Sequence, residues 1–227
     1  MKGHRYHYLN PEPKTQNPKP IKMKIGLYFG TFNPIHIGHM IIANHFAEHS
    51  DLEQIWMVVT PHNPLKNKDN LLNDYKRYEM VFLATEDYPK IKPSDIEFKL
   101  PKPNYTVNTL AHLQEKFPQH EFSLIMGEDN LKSLHKWKNF EVILQNHPIY
   151  VYPRLENKSI TDEALLKTDE LYKKYLNSGA RIHIINAPIV EISSTFIREN
   201  IKNKKNVQPL LPLKVWEYID YGNFYKK

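Results

Sequence analysis

The chain of 227 residues contains no cysteine. Disulfide frameworks, thiol nucleophiles and cysteine-based zinc sites are therefore excluded. Glycine is scarce, with seven residues, or roughly 3% where an average chain has about 7%. No apolar run approaches the ~18–20 residues of a membrane-spanning helix; Met40–Ala43 and Trp56–Val59 are typical of what is there. No hydrophobic leader segment is evident, so the expected location is the cytoplasm and no membrane partner is expected. Charge of one sign is lacking too. Lys and Arg number 31 against 25 Asp and Glu, a net +6.

That small excess is unevenly placed. Residues 1–22 hold Lys2, Arg5, Lys14, Lys19 and Lys22 against Glu12 alone, which is +4, leaving +2 for the remainder. A nucleic-acid-binding protein needs its basic face on the folded part, so no nucleic-acid partner is expected. The same stretch holds Pro11, Pro13, Pro18 and Pro20 and shows no apolar periodicity. It reads as a flexible, basic, Pro-rich N-terminal extension, native or not, with Met23 a plausible alternative start. Residues 23–227 read as one domain, with a homo-oligomer possible.

From Lys24 onward, short apolar runs alternate with helical patterns. Strands are expected at Ile25–Phe29, Ile55–Val59, Ile91–Ser94, Phe122–Met126, Pro148–Tyr152 and Ile182–Ile185, and a further extended piece at Asp95–Leu100. Helices are expected at His39–Glu48, Tyr75–Thr85, Val107–Phe117, within Asn130–Leu144, near Thr168–Leu176, and at Ser194–Asn200 and Leu213–Tyr221. In Tyr75–Thr85 the inner stripe is read as Tyr78, Val81, Phe82 and Ala84. The polar stretch Leu155–Asn177 reads as an excursion from the sheet. Strands separated by helices indicate an α/β fold, a Rossmann-like open and mainly parallel sheet with helices on both faces.

Three of the seven glycines, Gly26, Gly30 and Gly38, fall within thirteen residues at the first strand-to-helix junction. This is the sheet edge where ligands of such folds bind, beside a helix N-terminus whose free N–H groups suit phosphate. Inside it stands Gly30-Thr31-Phe32-Asn33-Pro34-Ile35-His36-Ile37-Gly38-His39. The plainer readings are a turn with two surface histidines, or a His-x-x-His metal site. The metal site would lack both cysteine and an intervening glutamate. Two imidazoles beside a phosphate cradle make better sense as donors to a phosphoryl group.

This segment resembles the G-x-F-[DN]-P-x-H-x-G-H signature of the nucleotidyltransferase superfamily with a Rossmann-like sheet. Ile192-Ser193-Ser194-Thr195-Phe196-Ile197-Arg198 resembles its second signature, I-S-S-T-x-I-R. Ser193 and Ser194 also suit a helix cap, but capping alone does not account for Arg198. Between the signatures, three blocks are similar to the nicotinate-nucleotide adenylyltransferase family: Thr60–Lys66, Asn104–Leu110, and Met126–Leu131 followed by Leu134–Trp137. Asn33, Asn104 and Asn108 stand where that family commonly has Asp, Ser and Asp, and Lys138 where it often has an aromatic residue.

The resemblance implies transfer of AMP from ATP to nicotinate mononucleotide, with Mg²⁺ carried by ATP and no dedicated protein metal site. It implies His36 and His39 as catalytic groups at the ATP phosphates. ATP would also meet Gly30, Thr31, Phe32, Gly127, Asp129, Ile192, Ser193, Ser194, Thr195 and Arg198. The acceptor would meet Lys66, Tyr105, Thr106 and Trp137, with Trp137 stacking on the pyridine ring. A core role for Trp137 and a solvated Lys66 are the plainer alternatives. Rivals for the whole are a related enzyme using nicotinamide mononucleotide, phosphopantetheine or a sugar or polyol phosphate, and a nucleotide-binding regulator without turnover.

Overall fold

Each expected strand ends where a glycine, proline or polar residue interrupts an apolar run. The computed structural model describes residues 21–61, 71–152, 170–188 and 190–226. The elements in chain order are β1 (Lys24–Gly30), α1 (Ile37–His49), β2 (Gln54–Val59), α2 (Asp74–Thr85) and β3 (Ile91–Ser94). They continue with α3 (Thr106–Lys116), β4 (Glu121–Gly127), α4 (Glu128–Ser133), α5 (Phe140–Asn146) and β5 (Ile149–Tyr152). The chain closes with α6 (Glu170–Asn177), β6 (Ile182–Ile184), α7 (Ser194–Lys202) and α8 (Leu213–Tyr221). The N-terminal extension up to residue 20, residues 153–169 and Lys66 lie outside the described residues.

The strands form one six-stranded sheet in the order β3-β2-β1-β4-β5-β6. Every neighbouring pair is parallel, with Tyr28 facing Met57 on one side and Ile125 on the other. A parallel sheet is covered on both faces, which is why its central strands are apolar almost throughout. Alternation splits them between two cores. Tyr28, Ile55, Met57, Val59 and Ile125 pack with Phe46 of α1, Val81 of α2, Ile197 of α7 and Ile219 of α8. Leu27, Val58, Phe122, Leu124 and Met126 pack with Leu113 of α3, Ile143 of α5 and Tyr175 of α6. Among the described residues no helix is long and apolar enough to cross a membrane.

Two local expectations are corrected. Asp95–Leu100 is not extended: Ile96–Lys99 forms a 3₁₀ turn, with the Phe98 N–H donating to the Asp95 carbonyl at 2.8 Å. The turn buries Glu97 while Phe98 packs its edge against Tyr75 and Tyr78. In α2, Phe82 is 43% exposed and Arg77 instead takes the inward position with Met80, Val81 and Ala84. An arginine fits there because backbone carbonyls, not apolar side chains, wait for it.

Candidate active site

β1 and β4 are neighbours, but the helices that follow them cover opposite faces of the sheet. The chain direction thus diverges at the carboxyl ends of these two strands, and a crevice opens there. It holds a cavity of about 530 Å³ whose walls include Gly30 at the end of β1, Thr31 after it, Thr60 after β2 and Gly127 at the end of β4. Glu97, Asn104, Tyr105, Thr106, Trp137 and Lys138 complete its wall.

The loop from Gly30 to His39 leads out of β1 along one side of this crevice. Its shape is set by buried groups. The Phe32 ring folds over Gly30, where an added Cβ would meet it at 2.7 Å, and Phe32 itself takes φ 43°. Asn33 is buried, and its Oδ1 accepts from the Leu72 N–H at 3.2 Å and from the Tyr225 hydroxyl at 2.8 Å. Asparagine at the position usual for aspartate therefore serves as a neutral hydrogen-bond junction that orders the loop. Its acceptors are committed to the protein, not to a cation.

His36 caps α1 from an extended conformation, and its carbonyl accepts the His39 N–H at 3.0 Å. Its ring is 4% exposed and stacks on that of His39 with centroids 3.7 Å apart. Gly38 lets this ring lie flat on the helix start, since a Cβ there would come within 3.0 Å of His36 Nδ1. His39 in turn meets Phe32 edge-on at 5.1 Å. The histidine pair is thus held at the positive end of α1, where an anion would meet both imidazoles and the first backbone N–H groups.

The second motif folds onto the first. Ser193 caps α7, its Oγ accepting from the Phe196 N–H at 3.1 Å, and Ile192 packs beside the core next to it. Ser194 Oγ donates to the Pro34 carbonyl at 2.8 Å. Arg198 Nη1 donates to the Asn33 carbonyl at 2.8 Å and Nη2 to Thr195 Oγ1 at 3.2 Å. Residues 160 positions apart therefore share hydrogen bonds, and two helix N-termini and a guanidinium converge on one loop.

Gly30, Thr31 and Gly127 thus lie at the cavity, as do Tyr105, Thr106 and Trp137. Phe32, His36, His39, Ile192, Ser193, Ser194, Thr195 and Arg198 belong to the adjoining loop and α7. Asp129 is exposed in the first turn of α4, beside cavity-lining Asn130. Trp137 both lines the cavity and packs on the apolar cluster beneath it. Lys138 holds its ammonium 4.6 Å over the Tyr105 ring, bringing positive charge to the rim. No group of three or more His, Cys, Asp or Glu able to hold a metal occurs among the described residues.

Pattern reading missed three groups. Arg77, 0% exposed, donates to the carbonyls of Thr31, Thr60 and Leu72 and to Asp74. Burial alone would raise the Asp74 carboxyl, but bonds from Arg77 and Lys102 hold it below the usual carboxylate range. Tyr225, almost the last residue, reaches back to Asn33; burial pushes its phenol up, against the opposing influence of Arg198 and Arg77, so it stays a donor. Tyr225→Phe should cost about 1 kcal/mol of stability and raise the KM for ATP severalfold. Thermal melts and ATP saturation curves check this, and an unchanged KM would show that the C-terminal contact does not shape the loop. Glu97, the third, is 1% exposed.

Comparisons with known proteins agree with this geometry. Residues 27–200 match the model of the family described as cytidylyltransferase-like. A Flavobacterium psychrophilum protein named "Probable nicotinate-nucleotide adenylyltransferase" is 75% identical over 90% of this chain and 100% of its own length. A Bacteroides thetaiotaomicron protein of the same name is 40% identical over 87% of this chain and 91% of its own. In fold, the chain is similar to Plasmodium falciparum nicotinic acid mononucleotide adenylyltransferase complexed with NaAD. That likeness has a TM-score of 0.70 at 20% identity, covering 89% of this chain and 97% of the other.

Proposed function

The chain belongs to the nicotinate-nucleotide adenylyltransferases of the cytidylyltransferase-like family, and from that premise we propose how its residues divide the reaction between them. The enzyme transfers AMP from ATP to nicotinate mononucleotide, giving nicotinate adenine dinucleotide and pyrophosphate, a step of NAD biosynthesis. An oxygen of the acceptor's phosphate attacks the α-phosphorus of ATP, the bond from that phosphorus to the bridging oxygen breaks, and pyrophosphate leaves with the electron pair. No covalent enzyme intermediate is required, so catalysis is positioning plus stabilisation of charge.

His36 and His39 donate to the phosphates and offset the charge that builds on the oxygens of the pentavalent centre. The backbone N–H groups at the start of α1, with Gly30 and Thr31, hold the same group from the other side. Ser193, Ser194, Thr195 and Arg198 receive the β- and γ-phosphates at the start of α7. The adenosine lies toward Gly127 and Asp129. Nicotinate mononucleotide occupies the 530 Å³ cavity, its ring on Trp137, with Tyr105 and Thr106 beside its carboxylate. Mg²⁺ carried by ATP would offset the charge of its phosphates. Asn33 Oδ1, committed to the Leu72 N–H and the Tyr225 hydroxyl, would not ligate that ion. The enzyme works in the cytoplasm, where ATP is available to it.

The observation that carries this reading is the pair of bonds from Arg198 to Asn33 and from Ser194 to Pro34, which join the two phosphate-binding motifs. The test is pyrophosphate release at constant ATP with nicotinate mononucleotide, nicotinamide mononucleotide, phosphopantetheine and glycerol phosphate in turn. Nicotinate mononucleotide should exceed the amide in kcat/KM by about 10²-fold or more, because a site built around one partner leaves buried groups unpaired with the other. A faster reaction with any other acceptor would refute the assignment.

A further inference from the structure

Three residues of the cavity wall each carry a buried polar atom with no hydrogen-bond partner among the described residues: Glu97 Oε2, Asn104 Oδ1 and Trp137 Nε1. Buried polar atoms are almost always paired, so three on residues that line one cavity point to a polar group that completes them. Of these, Glu97 has the greatest consequence, being an ionisable group sealed almost wholly from water.

We propose that Glu97 presents a neutral carboxylic acid to the acceptor and donates the Oε2 proton as a hydrogen bond to the ring carboxylate of nicotinate mononucleotide. The inference rests on the acceptor assignment above and names the group that reads its charge.

The surroundings of Glu97 favour the neutral form. Thr109 of α3 donates its hydroxyl to Glu97 Oε1 at 2.7 Å, and Asn104 donates its amide to the Glu97 backbone carbonyl at 3.1 Å. Thr60, at the end of β2, adds a second hydroxyl. From α2, Arg77 is fully occupied by three carbonyls and Asp74. Across the cavity, Lys136 and Lys138 are exposed, and Lys138 rests on the Tyr105 ring. The remaining titratable groups of the wall are the Tyr28 and Tyr105 phenols. Burial therefore raises the Glu97 carboxyl above its ordinary value, and the two hydroxyls offset this only in part.

With Oε1 engaged as an acceptor, the proton of a neutral Glu97 resides on Oε2, the atom without a partner among the described residues. The acceptor's phosphate must lie by the histidine loop for the chemistry to occur. Its other anionic group, the ring carboxylate, is the one left to meet the inner wall. An ionised Glu97 would repel that carboxylate. A neutral one donates to it, and a carboxamide ring would leave the site short of its anionic acceptor.

The sign of the pH effect follows. The acid form binds, so raising the pH through the Glu97 pKa weakens acceptor binding. The experiment measures KM for nicotinate mononucleotide at saturating ATP, from about pH 6 to about pH 8.5, in the wild type and Glu97→Gln. The glutamine side chain keeps an acceptor for Thr109 and a donor for the ligand but cannot ionise. Wild-type KM should rise relative to that of Glu97→Gln once the pH passes the Glu97 pKa, with KM for ATP unaffected by the substitution. The acceptor's own phosphate titrates near pH ~6, alike for both proteins, and cancels in the comparison.

Calorimetry supplies a second readout. Nicotinate mononucleotide binding to the wild type above the Glu97 pKa should take up a proton, seen as a dependence of the binding heat on buffer ionisation enthalpy. A wild-type KM that falls with pH relative to that of Glu97→Gln, or a Glu97→Gln KM raised about tenfold or more at the lowest pH, overturns the proposal for Glu97 alone. Absence of pyrophosphate release with nicotinate mononucleotide in the wild type at every pH overturns the acceptor assignment and this inference together.

Discussion

Replacing His36 by alanine should lower kcat about 10²- to 10³-fold, the usual consequence of deleting one preorganised donor to a developing charge. The ring is held in place before any substrate arrives, stacked 3.7 Å from His39 and lying against Gly38. It therefore needs no reorganisation in the transition state. The KM for ATP should change much less than kcat, because in the proposed arrangement the backbone N–H groups of α1 and the serines of α7 remain to hold the ground-state phosphates. Since His36 is only 4% exposed, its removal also leaves a small void. A melt of the variant and an assay well below its transition temperature separate that effect from catalysis. His36→Asn, which retains a side-chain donor on a shorter stem, should recover part of the rate. If His36→Ala keeps kcat within about threefold of wild type, the imidazole does not stabilise the pentavalent centre.

The parts of this molecule that are legible in its sequence are those whose cause is local. β1, β2 and β4 are apolar runs closed by Gly30, Pro61 and Gly127, and a run of that kind between stops has few alternatives to a buried strand. The Gly30–His39 loop is legible as a candidate site because glycine is scarce and clustered, and because Ser193–Arg198 repeats the logic of a capped helix start. What the pattern misses depends on contacts between distant segments. Arg77 sits at an inward helical position where an apolar residue is expected, and its reason is three carbonyls from other elements. The inward place expected for Phe82 follows hydrophobicity where backbone polarity decides. Glu97 lies in a short alternating piece that could be extended or turned. Tyr225 lies beyond the last helix, and nothing adjacent to it reveals its bond to Asn33. In each case a polar side chain is buried because the backbone or side chain of another segment presents the complementary group.

The largest expected loss of stability follows from this: Arg77→Met should destabilise the fold by about 3–5 kcal/mol, the cost of breaking a buried charged network by removing one partner. The guanidinium ties together the ends of β1 and β2 through the Thr31 and Thr60 carbonyls, and joins both to Leu72 and Asp74. Methionine fills much of the volume but leaves three carbonyls without this donor. Asp74→Asn offers the contrast. Asp74 is partly exposed and also paired with Lys102, and its loss leaves Arg77 its three carbonyls, so it should cost only about 1 kcal/mol. Arg77→Lys should fall between the two, since one ammonium cannot span four acceptors in the geometry of a planar fork. Urea unfolding of the three variants orders them. Because Thr31 and Thr60 border the cavity, the Arg77 variants that fold should also show a raised KM for the acceptor. A loss below about 1 kcal/mol for Arg77→Met would mean that water or a shifted loop satisfies those carbonyls as well as the guanidinium does. The strand ends around the active site would then be held by the sheet alone.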